Sequence, residues 1–271
     1  MFPVAGHAAS SRRRLTSRAV VAGVLLLAAT GCSKNDIPRF GFPKPITPQG
    51  VRVLSLWQGS VIAALVVGVF VWGLIFWCVI VYRKNSDELP RQVRYNLPIE
   101  ILYTAIPMVI IGVLFFYTAV IENYEDKDTL HPGLTIGVIG YKWNWQFNYA
   151  SVSPGVSVNG REGEPPVLVL PTDTTIRFVE TSPDVIHSFW VPSFLFKRDV
   201  IPGRTNQFEL TITKPGEYIG RCAELCGVDH DRMSFEVRVL PKAEFDTWLA
   251  AAKKSTTGVS PDSVIAAGST S

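Results

Sequence analysis

Two thiols, an imidazole and a thioether fall within twelve residues: Cys222, Cys226, His230 and Met233, at the spacing C-x3-C-x3-H-x2-M. Soft sulfur donors combined with an imidazole suit copper, whereas a methionine thioether is a poor ligand for zinc. A further imidazole, His187, lies at the end of a strand-like stretch in Asp184-Val185-Ile186-His187-Ser188-Phe189-Trp190, so two of the chain's four histidines belong to these motifs. A blue-type copper site needs one cysteine. Two thiolates allow a dinuclear centre in which each sulfur bridges both metals, with one histidine per copper. Sharing an electron over two metals spreads the charge change and keeps the geometry nearly fixed on reduction, which suits rapid one-electron transfer. Two blander arrangements compete: a Cys222–Cys226 disulfide outside the cytoplasm, and a Cys2His2 zinc site that leaves Met233 unexplained. Attached c-type haem is excluded, because it needs C-x-x-C-H.

The donors sit on a loop that short alternating segments must hold. Phe208, Leu210 and Ile212 alternate with Glu209 and Thr211, and Phe235, Val237 and Val239 alternate with Glu236 and Arg238. This period of two predicts half-buried strands. Further strands are predicted over 134–139, 143–149, 167–170 and 175–180, separated by the turn signals Pro154-Gly155, Pro202-Gly203 and Pro215-Gly216. A small β-sandwich or barrel over residues 122–254 follows. Phe245, Trp248, Leu249 and Ala252 recur at helical spacing in a short closing helix over 243–253. The Ser-, Thr-, Gly- and Ala-rich segment 255–271 reads as a disordered tail.

Ahead of these strands the chain is apolar. Residues 61–82 carry no formal charge, and 97–121 are interrupted only by Pro98, Glu100 and Pro107. Each stretch is long enough to cross a hydrocarbon core of about 30 Å, giving a two-helix transmembrane hairpin over 53–121. Trp57, Trp72, Trp77, Tyr82 and Tyr117 include rings near the span ends, where aromatics settle at the interface. Arg83, Lys84, Arg91 and Arg94 outnumber Asp87 and Glu88 between the spans, while 122–128 is mostly acidic. The connecting loop is therefore expected inside and the β domain outside the cell membrane. Glu100, the ionisable group of the hairpin, reads on residues alone as an interfacial carboxylate in a first helical turn. Cys78 reads as an apolar filler.

Hydrophobic residues make up 47% of the 271 and charged residues 18%, which excludes a disordered or nucleic-acid-binding chain. The net charge of +3 is concentrated in the leader: residues 1–31 hold Arg12, Arg13, Arg14 and Arg18, no acid, and an apolar run over 19–29 too short to span a bilayer. Removing that secretory signal before Cys32 takes away four positive charges and leaves a net charge of −1. Ala29-Thr30-Gly31-Cys32 has the form of a lipobox, whose cysteine is acylated, although Ala29 stands where leucine is usual. Residues 32–52 would then be an extracytoplasmic N-terminal segment. From Glu122 onward 19 acids face 14 bases, so the outer domain is acidic.

In combination these motifs resemble cytochrome c oxidase subunit II. The resemblance rests on the loop from Cys222 to Met233, on His187-Ser188-Phe189-Trp190-Val191-Pro192-Ser193, on Asp199-Val200-Ile201-Pro202-Gly203-Arg204, and on the aromatic run from Tyr141 to Tyr149. It implies an all-β cupredoxin-like domain, a Greek-key sandwich or barrel, with a dinuclear copper A centre. Cys222 and Cys226 would bridge, His187 and His230 would bind one copper each, and Met233 and the carbonyl of Glu224 would be weak ligands. The Glu224 side chain would join a Mg²⁺ site shared with subunit I. Trp143 would receive the electron from cytochrome c, and Glu100 would mark the mouth of a proton channel. The implied role is that of the electron-accepting subunit of an aa3-type oxidase, which passes electrons to haem in subunit I for reduction of O₂ to water coupled to proton translocation. A membrane-tethered copper carrier is the alternative. Asp184 matches a docking acid, but Asn144, Gln146 and Asn148 are neutral where the family carries acids. The expected donor is therefore cytochrome c, or a tethered cytochrome c domain of a bc-type complex within a supercomplex.

Overall fold

The structure is a computed structural model that describes residues 36–89, 92–149, 155–161 and 163–254. The signal, the lipobox with Cys32 and the tail lie outside the described residues. By contacts the chain divides into Met1–Phe42 and Pro43–Ser271. In the first unit Ile37–Arg39 form one 3-10 turn, and the Arg39 guanidinium pairs with Asp36.

The second unit starts with helix α1 (Pro48–Val81), followed by α2 (Leu97–Glu125). Both are apolar over membrane-spanning lengths, and most of their Val, Ile, Leu and Phe side chains are exposed, as suits surfaces that face lipid. Helix α1 begins well before the apolar stretch, and takes in residues assigned above to the N-terminal segment. Its start is set by a cap and by the β domain. Thr47 Oγ1 accepts from the Gly50 amide at 2.9 Å and donates to the Phe194 carbonyl at 3.2 Å, with Pro48 preset in the first turn. A Cβ on Gly50 would lie 2.5 Å from that same carbonyl oxygen, so only glycine permits this close approach.

Among the described residues, ten strands form two five-stranded sheets. The first comprises β1 (Leu134–Tyr141), β2 (Asn144–Tyr149), β3 (Val156–Asn159), β5 (Thr175–Thr181) and β8 (Asn206–Thr211), in the order β3-β2-β1-β5-β8. The second comprises β4 (Val167–Pro171), β6 (His187–Val191), β7 (Phe196–Val200), β9 (Gly216–Cys222) and β10 (Ser234–Leu240), in the order β4-β10-β9-β6-β7. The pairs β1–β5 and β4–β10 are parallel and the others antiparallel. Helix α3 (Lys242–Lys254) closes the chain.

Strands β1 and β10 bury one face as expected, β1 alternating buried and half-buried residues along its whole length, whereas in β8 Glu209 is buried together with Phe208 and Leu210. The two inner faces meet in an aromatic core in which Phe189 and Phe235 stack at 5.0 Å and Phe178 and Phe208 at 4.9 Å. Tyr149, fully buried on β2, bridges to β4, the edge strand of the other sheet: its hydroxyl donates to the Val169 carbonyl at 2.8 Å and accepts from the Val169 amide at 2.9 Å. The segment leaving α2 is held to the first sheet by Glu209, which pairs with Arg177 at 2.6 Å and accepts the Thr129 amide at 3.0 Å.

Candidate metal centre

The strand register brings the sequence-distant donors together. Strand β6 pairs with β9 so that Phe189 lies opposite Cys222, which places His187 diagonally across from the end of β9. His187 is the first residue of strand β6. The loop that follows Cys222 is closed at its neck, where the Cys222 amide donates to the Met233 carbonyl at 2.9 Å, and is tied to β6, where the Ala223 amide donates to the Ser188 carbonyl at 3.0 Å. A 3-10 turn, His230–Arg232, points His230 back toward the cysteines.

The result is a compact, paired donor set. Cys222 Sγ and Cys226 Sγ are 3.9 Å apart as free cysteines, so no disulfide joins them. Each sulfur has one imidazole beside it: His187 Nδ1 is 3.9 Å from Cys222, and His230 Nδ1 is 3.5 Å from Cys226. Each also has one weaker donor, the Glu224 carbonyl 3.2 Å from Cys222 and Met233 Sδ 3.7 Å from Cys226. His187, Cys222, Cys226 and Met233 are all buried. A cluster of two thiols, two imidazoles, a thioether and a carbonyl fits copper by its softness and its symmetry.

The two thiols are shifted in opposite directions. Burial works against the Cys222 thiolate, but hydrogen bonds from His187 and from the loop backbone outweigh it and lower its pKa. Burial and then repulsion by Cys222 raise that of Cys226. Burial disfavours the charged form of His187, yet its contacts with Cys222 and Asp184 raise its pKa. Asp184 also resists burial, and the amides and imidazole that bond it hold its carboxyl below the usual range. Its Oδ1 lies 2.9 Å from His187 Nε2, and its Oδ2 accepts the Lys142 amide at 2.7 Å.

Trp143 lies half-buried in the turn between β1 and β2 and touches the metal loop directly, its Nε1 donating to the Cys226 carbonyl at 3.1 Å. Gly227 makes room: its φ of +127° favours glycine, and a Cβ there would lie 3.0 Å from the indole. Beside Trp143 opens a cleft of about 840 Å³ lined by Lys142, Arg161, Glu164, Asp229 and Arg232. The exposed Leu225 and Val228 lie on the same loop as the donors. The Glu224 side chain is exposed. Glu100 is distant in sequence from all of these, in the first turn of α2, where its carboxylate accepts the Asn96 amide at 3.0 Å in the manner of an N-terminal cap.

Two family models match the chain: that of the transmembrane domain of cytochrome c oxidase subunit II over residues 37–121, and that of its periplasmic domain over residues 163–240. A probable cytochrome c oxidase subunit 2 of Streptomyces coelicolor is 45% identical, over 92% of this chain and 90% of that protein. Cytochrome c oxidase subunit 2 of Mycobacterium tuberculosis is 37% identical, over 90% of this chain and 83% of that protein. Among solved structures, the periplasmic domain of cytochrome oxidase subunit II of Bradyrhizobium japonicum is 34% identical, with a TM-score of 0.42, covering 46% of this chain and 96% of that one.

Proposed function

The chain belongs to the cytochrome c oxidase subunit II family, and we propose that it is the electron-accepting subunit, taking electrons from a cytochrome c donor at Trp143 and delivering them to haem in a separate catalytic subunit. The observation that carries this reading is the pairing of donors, two sulfurs 3.9 Å apart with one imidazole nitrogen beside each. Cys222 and Cys226 would bridge two coppers, His187 and His230 would each hold one, and Met233 and the Glu224 carbonyl would complete the set. When bound, such a centre supplies one-electron redox chemistry with little change in geometry.

The protein's own residues do the rest. Burial of both cysteines, at 7% and 5% exposure, keeps water from the sulfurs and argues against a copper carrier, which must open its ligands for transfer. The indole of Trp143 reaches from the cleft to a ligand residue through a single hydrogen bond, a short bonded route from surface to site. Among the described residues that line the cleft, Lys142, Arg161 and Arg232 are set against Glu164 and Asp229. That balance supports a donor delivered by tethering rather than by long-range attraction. The apolar Leu225 and Val228 add contact area for such a donor.

The remaining roles are part of the same proposal. The Glu224 carboxylate can occupy one oxygen position of a Mg²⁺ ion, whose other ligands must then come from subunit I or from water. Glu100 would feed protons toward subunit I from the inner end of α2. The oxidase is read as aa3-type, reducing O₂ to water with proton translocation, and the domain over 122–254 as lying outside the membrane, with the cationic loop between the helices inside.

The test is metal loading of the full-length chain in detergent, alongside Cys222→Ser and Cys226→Ser. Two coppers per chain in the parent, and loss of the paired centre in both variants, are expected. A parent that prefers zinc, or a Cys222→Ser variant that still takes up two coppers, would overturn the reading.

A further inference from the structure

We propose that the buried pair of Arg177 and Glu209 is a seat that fixes the β domain over the two membrane spans, and so sets the gap an electron must cross on leaving the copper centre. The inference rests on the copper reading above and gives a positioning role to residues that are not copper donors. Glu209 stands on β8 between the buried Phe208 and Leu210, on the face that alternation gives to water, yet it is 3% exposed. Hiding a carboxylate there is costly unless its charge is paired and both oxygens are bonded. Arg177, its register partner on β5, donates from Nε and Nη2 to Glu209 Oε1 at 2.9 and 2.6 Å. Glu209 Oε2 accepts the Thr129 amide at 3.0 Å, and Arg177 Nη2 also donates to the Thr129 carbonyl.

The pair is therefore bonded to the chain that leaves the membrane. Eight residues, 126–133, join α2 to β1, and a free linker of that length could reach roughly 26 Å. Gripping Thr129 at both its N–H and its C=O removes that freedom halfway along. Asp126 and Asp128 are held as well, by Arg198 at 2.5 Å and by Gln207 at 2.6 Å. The other span is tied to the same place. Gln49, in the first turn of α1, donates to the Glu209 carbonyl at 3.4 Å. Just before it, the buried Ile46 donates its amide to the Ser193 carbonyl at 3.1 Å and accepts the Thr213 amide at 2.9 Å. Ser193 lies in the turn between β6, which His187 begins, and β7, so this contact reaches the sheet that carries the donors. Glu209 is thus the residue that both spans share in meeting the β domain. A glutamine in its place cannot do the same, because its Nε2 donates where Arg177 or the Thr129 amide also donates.

The experiment compares the assembled oxidase carrying Glu209→Gln with the parent and with Tyr149→Phe, which weakens the core of the domain away from the seat. Rapid mixing with reduced cytochrome c follows copper reduction and the later haem reduction as separate steps. The copper spectrum and amide hydrogen exchange over 126–130 are recorded alongside. In Glu209→Gln the Thr129 amide should exchange at least about tenfold faster, the shift that loss of a hydrogen bond to a charged group implies. Spectrum and electron uptake should match the parent, while transfer from copper to haem slows enough for reduced copper to accumulate ahead of reduced haem. Tyr149→Phe should keep the parental copper-to-haem rate. Parental transfer in Glu209→Gln despite the faster exchange, or equal slowing in Tyr149→Phe, would assign the pair to the stability of the domain alone and overturn this inference without touching the copper reading. A parent lacking a two-copper spectrum overturns the copper reading and this inference with it. Should the glutamine variant fail to assemble, Thr129→Pro decides by the same two rates, because it removes the N–H that Glu209 receives and leaves the ion pair in place.

Discussion

Replacing Trp143 with phenylalanine separates the conduit from the site it serves. The substitution keeps an aromatic ring in the turn between β1 and β2 but removes the Nε1–H that donates to the Cys226 carbonyl at 3.1 Å. A part-buried hydrogen bond of this kind contributes about 0.5–1.5 kcal/mol, and the carbonyl left behind belongs to a loop whose next residue, Gly227, is exposed. The domain should therefore lose no more than about 1.5 kcal/mol, a drop in melting temperature of roughly 2–6 °C for a domain of this size. None of the six metal donors is touched, so copper content and spectrum should match the parent. If the indole merely steadied the loop, a loss of that size would slow electron uptake by about tenfold at most. If the indole is the route itself, the slowing should exceed tenfold. The assay is rapid mixing of reduced cytochrome c with the oxidase, following copper reduction by its absorbance. Uptake at the parental rate would refute the assignment of Trp143, and loss of copper would refute the separation of conduit from site.

Other perturbations test the scaffold. Tyr149→Phe strands the Val169 amide and carbonyl in the core between the sheets; with each orphaned group costing about 1–3 kcal/mol, chemical unfolding should show at least about 2 kcal/mol of lost stability with an unchanged copper spectrum, and a loss below about 1 kcal/mol would contradict the bridge. Glu180, fully buried on β5 with both oxygens lacking a hydrogen-bond partner among the described residues, has its pKa raised chiefly by burial, against the attraction of Arg198. A carboxyl raised on folding leaves stability intact below its unfolded value near 4.5 and loses it as pH rises toward the folded value. Glu180→Gln should thus raise the unfolding midpoint at pH 7 and make no difference near pH 4; an equal effect at both would show that burial of the charge is not the cause.

How far the sequence carried depended on whether the deciding force was local. The spans were legible because composition alone determines membrane crossing, and β1 and β10 because one buried face imposes alternation, while in β8 the Arg177 pair lets Glu209 be buried on the second face. The start of α1 was not: Pro48–Ser60 is polar enough to lie outside the apolar stretch, and what fixes its first turn is the contact of Thr47 and Gly50 with Phe194, distant in sequence. Strands β6, β7 and β9 carry no clean alternation; β9 reads Gly-Glu-Tyr-Ile-Gly-Arg-Cys, and its pairing with β6 is a fact of register. The donor residues could be named from their spacing in one loop, but that Cys222 belongs with His187 and Cys226 with His230 needed the sheet.

Electron spin resonance of the oxidised, copper-loaded full-length chain tests the central claim most directly. The paired donors predict a mixed-valence signal whose hyperfine structure shows one unpaired electron shared equally over two copper nuclei, lost in Cys222→Ser and Cys226→Ser alike. A signal confined to a single copper nucleus, or a colourless chain holding zinc, would contradict it.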